Sequence, residues 1–375
     1  MTRTISSSPQ NVFTNVLSFN LFFCFLLSCY CYYAFFVVGK GFTYEPVEGW
    51  LNPVNIHDHY VYLSYIEQIK TSNDWLSLAG LNNNFAISLL YYLLHSGLLY
   101  LGADISYEAL ALIVNIIVIY FAFRVYFDLV KELKLPVHYG LSFFFCTSLI
   151  YFAQLINKDS FTILILLLSV KYALQGKWRS FIWILPLSLF IRFQLSALIF
   201  VFLFFAMARK NHIKRFLLAY ITLSLINGYL AKYQTLFFNE STLAEGMSYI
   251  IYSTNINYYI GSLLFNPVRV LQYIYDVLLS FDFITDSYID VSRLKNIPQV
   301  VILLLFSPFI AHAWLNYSYF MNSREKALIS MINAFFGVWL FNPTINSRYV
   351  ILIFPVLQLL ALSVFDKYKK AKSYE

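Results

Sequence analysis

Charge is scarce in this chain: Asp, Glu, Lys and Arg make up 12% of its 375 residues, against about 25% in soluble domains. Without more polar surface a water-soluble globule of this length could not cover its apolar residues, which reach 60%. Cysteines are equally few. Cys24, Cys29, Cys31 and Cys146 all lie inside apolar runs, which reads as small buried hydrophobes, not as disulfides or metal ligands. No P-loop, GxGxxG, HExxH or GxSxG motif occurs, which argues against an ATP-driven pump and the motif-bearing hydrolases. No acidic or basic tail is long enough to suggest a nucleic-acid partner. No Gly/Ser- or Pro-rich linker and no internal repeat divide the sequence, so 1–375 reads as a single integral membrane domain. Two detectable halves are missing, yet a transporter or lipid-linked glycan flippase stays open as an alternative to an enzyme.

What the sequence does have is long apolar runs, and its mean hydropathy is +0.65. The runs are Val12–Val38, Phe85–Leu101, Tyr107–Leu129, Tyr139–Ile156, Phe161–Leu174, Phe181–Ala208, Phe216–Leu230, Val268–Phe283, Val300–Tyr319, Ala327–Phe341 and Val350–Phe365. Most approach the roughly 20 residues that cross a bilayer core. The first is too long for a signal-peptide core of about 7–15 residues and reads as a retained span. Tyrosines gather near the run ends, where amphipathic rings favour the interface.

Lysine and arginine set the expected orientation, because they are enriched in short cytoplasmic loops. Arg124–Lys134, Lys171–Arg179, Arg209–Arg215, Lys367–Lys372 and the pair Arg324 and Lys326 are all expected on the cytoplasmic side. The parity then closes on three conditions. Phe85–Leu101 lies along the outer surface. Phe181–Ala208, too long for one crossing, is two short ones that turn at Arg192. Val268–Phe283, with Arg269, Asp276 and Asp282, is an amphipathic interfacial or re-entrant helix. The expected fold is an all-α polytopic membrane protein with about ten transmembrane helices plus outer-face surface helices. Both termini are cytoplasmic, and two large outer segments span 39–106 and 232–298.

Polar residues concentrate where those outer segments meet the spans. Asp58 should open a helix just after the first span. It has the chemistry of a general base, of a divalent-cation ligand with His57 or His59, or of a helix cap. Asn157-Lys158-Asp159 sits between two apolar runs with almost no loop, where charge is expensive and usually faces a cavity. Alternatively, Lys158 and Asp159 pair and cap the next helix. Arg192 lies in mid-run and suits a phosphate or an internal salt bridge with Asp159 or another carboxylate. Arg348 and Tyr349 open the last run, as a phosphate site or an interfacial anchor. The stretch Tyr249–Tyr259 reads as an ordinary interfacial loop or, alternatively, as a surface that stacks on and hydrogen-bonds to sugar rings. Arg269 is a further candidate for substrate contact.

These residues in this order resemble the GT-C superfamily of polytopic glycosyltransferases. The similar elements are Asp58 and Tyr62 as Asp-x-x-x-Tyr after the first span, the outer helix near Phe85–Leu101, and Asp159 as a second outer acid. The span pair around Phe181–Ala208 and Arg348-Tyr349 followed by Pro355 complete the pattern. The sequence departs from it in having no Glu beside Asp58 and no Asp-x-Asp or Asp-x-Glu at the second acid. Composition and the order Asn157, Asp159, Arg192 are also similar to O-antigen and capsule repeat-unit polymerases. The resemblance implies a GT-C-like fold and a glycosyltransferase of the bacterial inner membrane. Its partners would be a polyprenyl-phosphate-linked sugar or glycan, an acceptor glycan and membrane lipids. Asp58 and Asp159 would be catalytic, with His57, His59, Lys158, Arg192, Arg269, Arg348 and Tyr349 holding substrate. Whether a divalent cation takes part stays open.

Overall fold

A computed structural model gives the architecture of residues 9–38, 56–72, 84–208, 210–236, 246–284, 289, 291–339 and 347–372. It is all-helical, with 85% helix and no strand among the described residues. The main helices are α1 (Pro9–Tyr32), α2 (Ile56–Thr71), α3 (Phe85–Tyr100), α4 (Tyr107–Glu132) and α5 (Asp159–Leu174). They continue with α6 (Phe181–Ile191), α7 (Phe193–Ala206), α8 (His212–Leu230), α9 (Gly246–Tyr258) and α10 (Gly261–Leu278). The last are α11 (Ile297–Leu315), α12 (Lys326–Trp339) and α13 (Ser347–Lys372). Among the described residues, four stretches, Thr14–Phe35, Tyr107–Glu132, Ile297–Leu315 and Tyr349–Lys372, are long and apolar enough to cross a membrane, which marks a membrane protein. The apolar part of α13 is 83% buried and forms the axis of the fold, whereas that of α1 is 6% buried and forms its edge.

α4 shows how sequence sets an element. Ser106 accepts the Ala109 N–H at 3.2 Å as an N-cap, Glu108 lies in the first turn and Lys131 in the last. Each complements the helix dipole. α4 and α5 pack side by side in the same direction. Asn115 meets Ser160 near their starts, and Asp128 meets Lys171 near their ends. Parallel neighbours need a return path, and residues 133–158 supply it.

That return path corrects one expectation. Tyr139–Ile156 is not a spanning helix but a 3-10 helix, Val137–Phe145, followed by a single α-turn, Leu149–Phe152. Irregular backbone at membrane depth is tolerated only where protein covers it and satisfies its polar groups. Side-chain amides do so here. Asn115 Nδ2 donates to the carbonyls of Phe152, Ala153 and Leu155 at 3.3, 3.3 and 2.9 Å. Gln154 Nε2 donates to the Cys29 carbonyl at 3.1 Å, and Gln358 Nε2 to that of Ser142 at 2.9 Å. Gly140 lets the 3-10 segment lie against α4, since a Cβ there would meet the Phe127 ring at 2.7 Å.

Phe181–Ala208 forms two helices, as expected. They have 11 and 14 residues, or about 16 and 21 Å, and they meet at an extended Arg192 with φ −164 and ψ 121. Val268–Phe283 is helical over most of its length within α10, but its polarity is the reverse of a water-facing helix. Ser262, Asn266, Arg269 and Tyr273 are buried, while Leu264, Val268, Leu271, Ile274 and Tyr275 are exposed. Apolar groups outside and polar groups inside suit a helix bordered by lipid. Tyr249–Tyr259 is mostly the helix α9, not a loop. Its Asn255 accepts the Ser262 N–H at 2.9 Å and donates to Ser262 Oγ at 3.0 Å, which fixes the turn into α10. Tyr259 makes that turn at φ 62. Gly228 of α8 lies so close that a Cβ would collide with the Tyr259 carbonyl.

The basic segments gather at one end. Lys171 bonds Asp128 at 2.6 Å, Lys367 bonds Glu325 at 2.7 Å, Lys326 donates to the Ala208 carbonyl, and His212 meets Asn322 at 3.4 Å. The starts of α4, α5 and α13 and the end of α12 lie towards the other end.

Candidate functional site

The site is built where chain breaks bring polar groups into the apolar bundle. Asn157 closes the return path by accepting the Asp159 N–H on Oδ1 at 3.0 Å, so α5 begins at Asp159. Asp159 is fully buried. Arg192 reaches it from the break between α6 and α7, and its Nη2 donates to Asp159 Oδ1 at 3.2 Å. Of the readings open for Arg192, the structure shows the internal salt bridge. The break itself is closed locally: Arg192 N donates to the Ser188 carbonyl at 2.8 Å, and Ser188 and Ser196 share a hydroxyl bond at 3.0 Å. A buried ion pair survives desolvation only with such tight geometry and further hydrogen bonds.

Aromatic rings complete the pair's surroundings. The Arg192 guanidinium lies 5.9 Å from the Trp339 ring centre, within cation–π range. Trp339 stacks on Phe335 at 4.6 Å and meets the Tyr349 ring edge-on at 5.8 Å. Tyr349 in turn is within electrostatic reach of Tyr273, as are Arg269 and Asp276 on the inner face of α10. Trp339 Nε1 and Tyr273 Oη, both buried, carry no hydrogen bond among the described residues. A continuous band of polar and aromatic groups thus runs from Asp159 through Arg192, Trp339 and Tyr349 to Tyr273 and Arg269.

α2 and α3 dock on the other side of Asp159. Lys158 donates to Asn84 Oδ1 at 2.7 Å and stands 5.7 Å from the Tyr62 ring centre. Tyr62 holds α3 through its carbonyl, which accepts from Ser88 at 3.1 Å. His59 is fully buried. Its Nδ1 accepts the Ile156 N–H at 3.3 Å, so its Nε2–H is placed to donate to Glu108 Oε1 at 3.2 Å. With both nitrogens occupied, His59 positions α2 against the Asn157 turn. Asp58 lies in the first turn of α2, half-buried beside it.

Of the residues expected from sequence, Asp159, Arg192, Tyr349 and Arg269 therefore share one band, Lys158 and His59 border it, and Asp58 adjoins His59 in the first turn of α2. The side chains of His57 and Arg348 lie outside the described residues. No group of three His, Cys, Asp or Glu side chains stands together as a metal site among the described residues. Trp339, Tyr273, Asn84 and Glu108 escaped the sequence reading. Trp339 looked like the end of an apolar run, and only its placement under Arg192 distinguishes it. A cleft of about 590 Å³ beside Trp314 and Tyr319 lies away from this band, whereas a narrow one lined by Val277, Gln299, Val350 and Phe354 adjoins it. Comparison with protein-family models, with curated proteins and with solved structures finds no match to the chain.

Proposed function

We propose that the protein is a membrane glycosyltransferase of bacterial cell-envelope polysaccharide synthesis. Its donor is a sugar or glycan on polyprenyl phosphate or diphosphate, used at the outer face of the inner membrane. The observation that carries this reading is the buried Asp159–Arg192 pair with its aromatic surround, placed towards the end of the bundle opposite the basic segments. Because basic segments favour the cytoplasm, the pair belongs to the outer half. In this reading α1, α4 to α8 and α11 to α13 cross the membrane, and the irregular return path between α4 and α5 completes about ten crossings in a GT-C-like arrangement.

In this reading the acceptor hydroxyl attacks the anomeric carbon, the bond to the phosphate oxygen breaks, and the phosphate leaves on its lipid. Asp58 takes the acceptor proton. Asp159 orients Arg192 and the acceptor. Arg192, Arg269 and Arg348, with Lys158 and Tyr349, stabilise the negative charge that grows on the leaving phosphate.

The test is deletion of the gene, complementation with wild type, Asp58→Asn and Asp159→Asn, and electrophoresis of the surface polysaccharide. Purified protein in liposomes with a radiolabelled polyprenyl-phosphate sugar completes it. One added sugar marks a transferase. A ladder of repeats marks the repeat-unit polymerase that the sequence also resembles. Substrate moved across the bilayer without alteration marks a transporter and overturns the proposal, as does an unchanged polysaccharide.

A further inference from the structure

The basic end of the bundle carries a cleft of about 590 Å³, lined chiefly by Ile213 and Phe216 of α8 and by Trp314, Leu315, Tyr317 and Tyr319. That volume falls in the range of ligand sites, roughly 300–1,000 Å³. The cleft exists because α11 stops at Leu315. Asn316 leaves the helix at φ −102 and ψ 36, and the one-turn helix Tyr317–Phe320 carries the chain across to α8. There the Phe216 and Tyr317 rings meet at 6.5 Å. The result is a corner between helices with an open, apolar wall: Leu315 is 86% and Tyr319 62% exposed. Tryptophan and tyrosine at a helix end are the side chains that favour the membrane–water boundary.

The charge around this corner is one-sided. The 80 residues from Ser160 to Asn239 contain nine lysines and arginines and no aspartate or glutamate. Lys214, exposed, lies between the two α8 residues that line the cleft, and Arg215 beside it turns to the Phe204 carbonyl and ring, 3.5 and 5.4 Å away. The nearby carboxylates are already matched: Glu325 bonds Lys367 at 2.7 Å, and Asp366 bonds Lys370 at 2.6 Å. Lys367 itself stands 5.2 Å from the Tyr319 ring centre. An open apolar corner with the exposed Lys214 beside it has the two features an anionic lipid needs. One wall receives an acyl chain, and the rim holds a phosphate.

We propose that this corner binds an anionic phospholipid of the surrounding leaflet, its acyl chain against Phe216 and Leu315 and its headgroup beside Lys214. The site uses none of the residues assigned to glycosyl transfer, so either proposal stands or falls without the other. A zwitterionic lipid offers the same chain without the net charge, and Lys214 selects against it.

Trp314 lines the cleft and reports on it. Full-length protein is reconstituted in phosphatidylcholine vesicles that contain increasing fractions of brominated phosphatidylglycerol or brominated phosphatidylcholine. The Trp314 signal is the difference between wild type and Trp314→Phe. One interfacial cation contributes about a fivefold preference. The brominated anionic lipid is expected to quench Trp314 at a mole fraction at least about fivefold below that of the zwitterionic one. Lys214→Glu removes that preference. Lys214→Gln, which keeps the side-chain length, weakens it, and gives the answer if charge reversal disturbs the fold. Lys369→Glu on the tail leaves it unchanged. Equal quenching by the two lipids overturns the proposal. So does a preference that survives both Lys214 variants, or one that Lys369→Glu lowers as much.

Discussion

Replacing Arg192 with glutamine tests whether the buried pair is a coupled unit. The partners meet at 3.2 Å, with side chains 9% and 1% exposed, so neither can recover its lost partner in water. Breaking such a pair from one side costs about 3–5 kcal/mol, because a carboxylate stays behind in a low-dielectric site. Asp159→Asn should cost a similar amount by leaving the guanidinium behind. The double variant places two neutral amides face to face and should recover most of the loss, so that it costs less than either single variant. The assay is denaturant unfolding of the purified protein in detergent, followed by tryptophan fluorescence and repeated for all four sequences. Single variants as stable as wild type, or a double variant whose loss equals the sum of the singles, would refute the reasoning. Glycosyl transfer separates stability from chemistry: the double variant should unfold almost like wild type and still fail to transfer sugar.

Asn115→Leu keeps the volume but removes bonds to three carbonyls and to Ser160. It should cost about 3 kcal/mol in the same unfolding assay, since buried carbonyls are left unsatisfied. Gly228→Ala should lower the thermal midpoint by the equivalent of about 2 kcal/mol, and wild-type stability would mean that α8 and Tyr259 are not in contact. Glu325 is buried, which alone would raise its pKa, but its bonds to Lys367, Ser323 and Ser363 outweigh burial and hold it below the ordinary value. Its folded pKa is lowered, so its contribution to stability is present above the ordinary glutamate value of about 4.3. The contribution is lost as pH falls from there through the folded value. Unfolding midpoints measured on a descending pH series should therefore drop less for Glu325→Gln than for wild type.

The legible part of this protein is what lipid dictates. Long apolar runs, basic clusters and a lone Arg192 in mid-run were enough to expect an all-α membrane protein and a helix break at that arginine. They were also enough to pick out Asp159 and Arg192 as neighbours of consequence. The return path was not legible, because Tyr139–Ile156 has the hydropathy of a helix. Its irregularity depends on Asn115 and Gln358, which lie far away in sequence. The inverted face of α10 was half legible: the helical spacing is local, but which stripe turns inward depends on the neighbouring helices. Trp339 could not be told from a core aromatic, since the guanidinium that gives it a role arrives from another segment.

The amide stitching of the return path also has a consequence for biosynthesis. Residues 137–156 emerge from the ribosome long before Gln299 and Gln358, whose amides bond Cys146 and the Ser142 carbonyl. Until α11 and α13 are made, the Cys146 sulfur and the Ser142 carbonyl have no partner on that side, and lipid cannot supply one for the carbonyl. The segment therefore waits in the translocation machinery or in a sheltered, hydrated state, and settles only when the last helix arrives. The N-terminal half of this protein cannot finish folding before its C-terminal half exists. A ribosome stalled before Ile297 should leave the return path open to protease and to thiol labelling at Cys146.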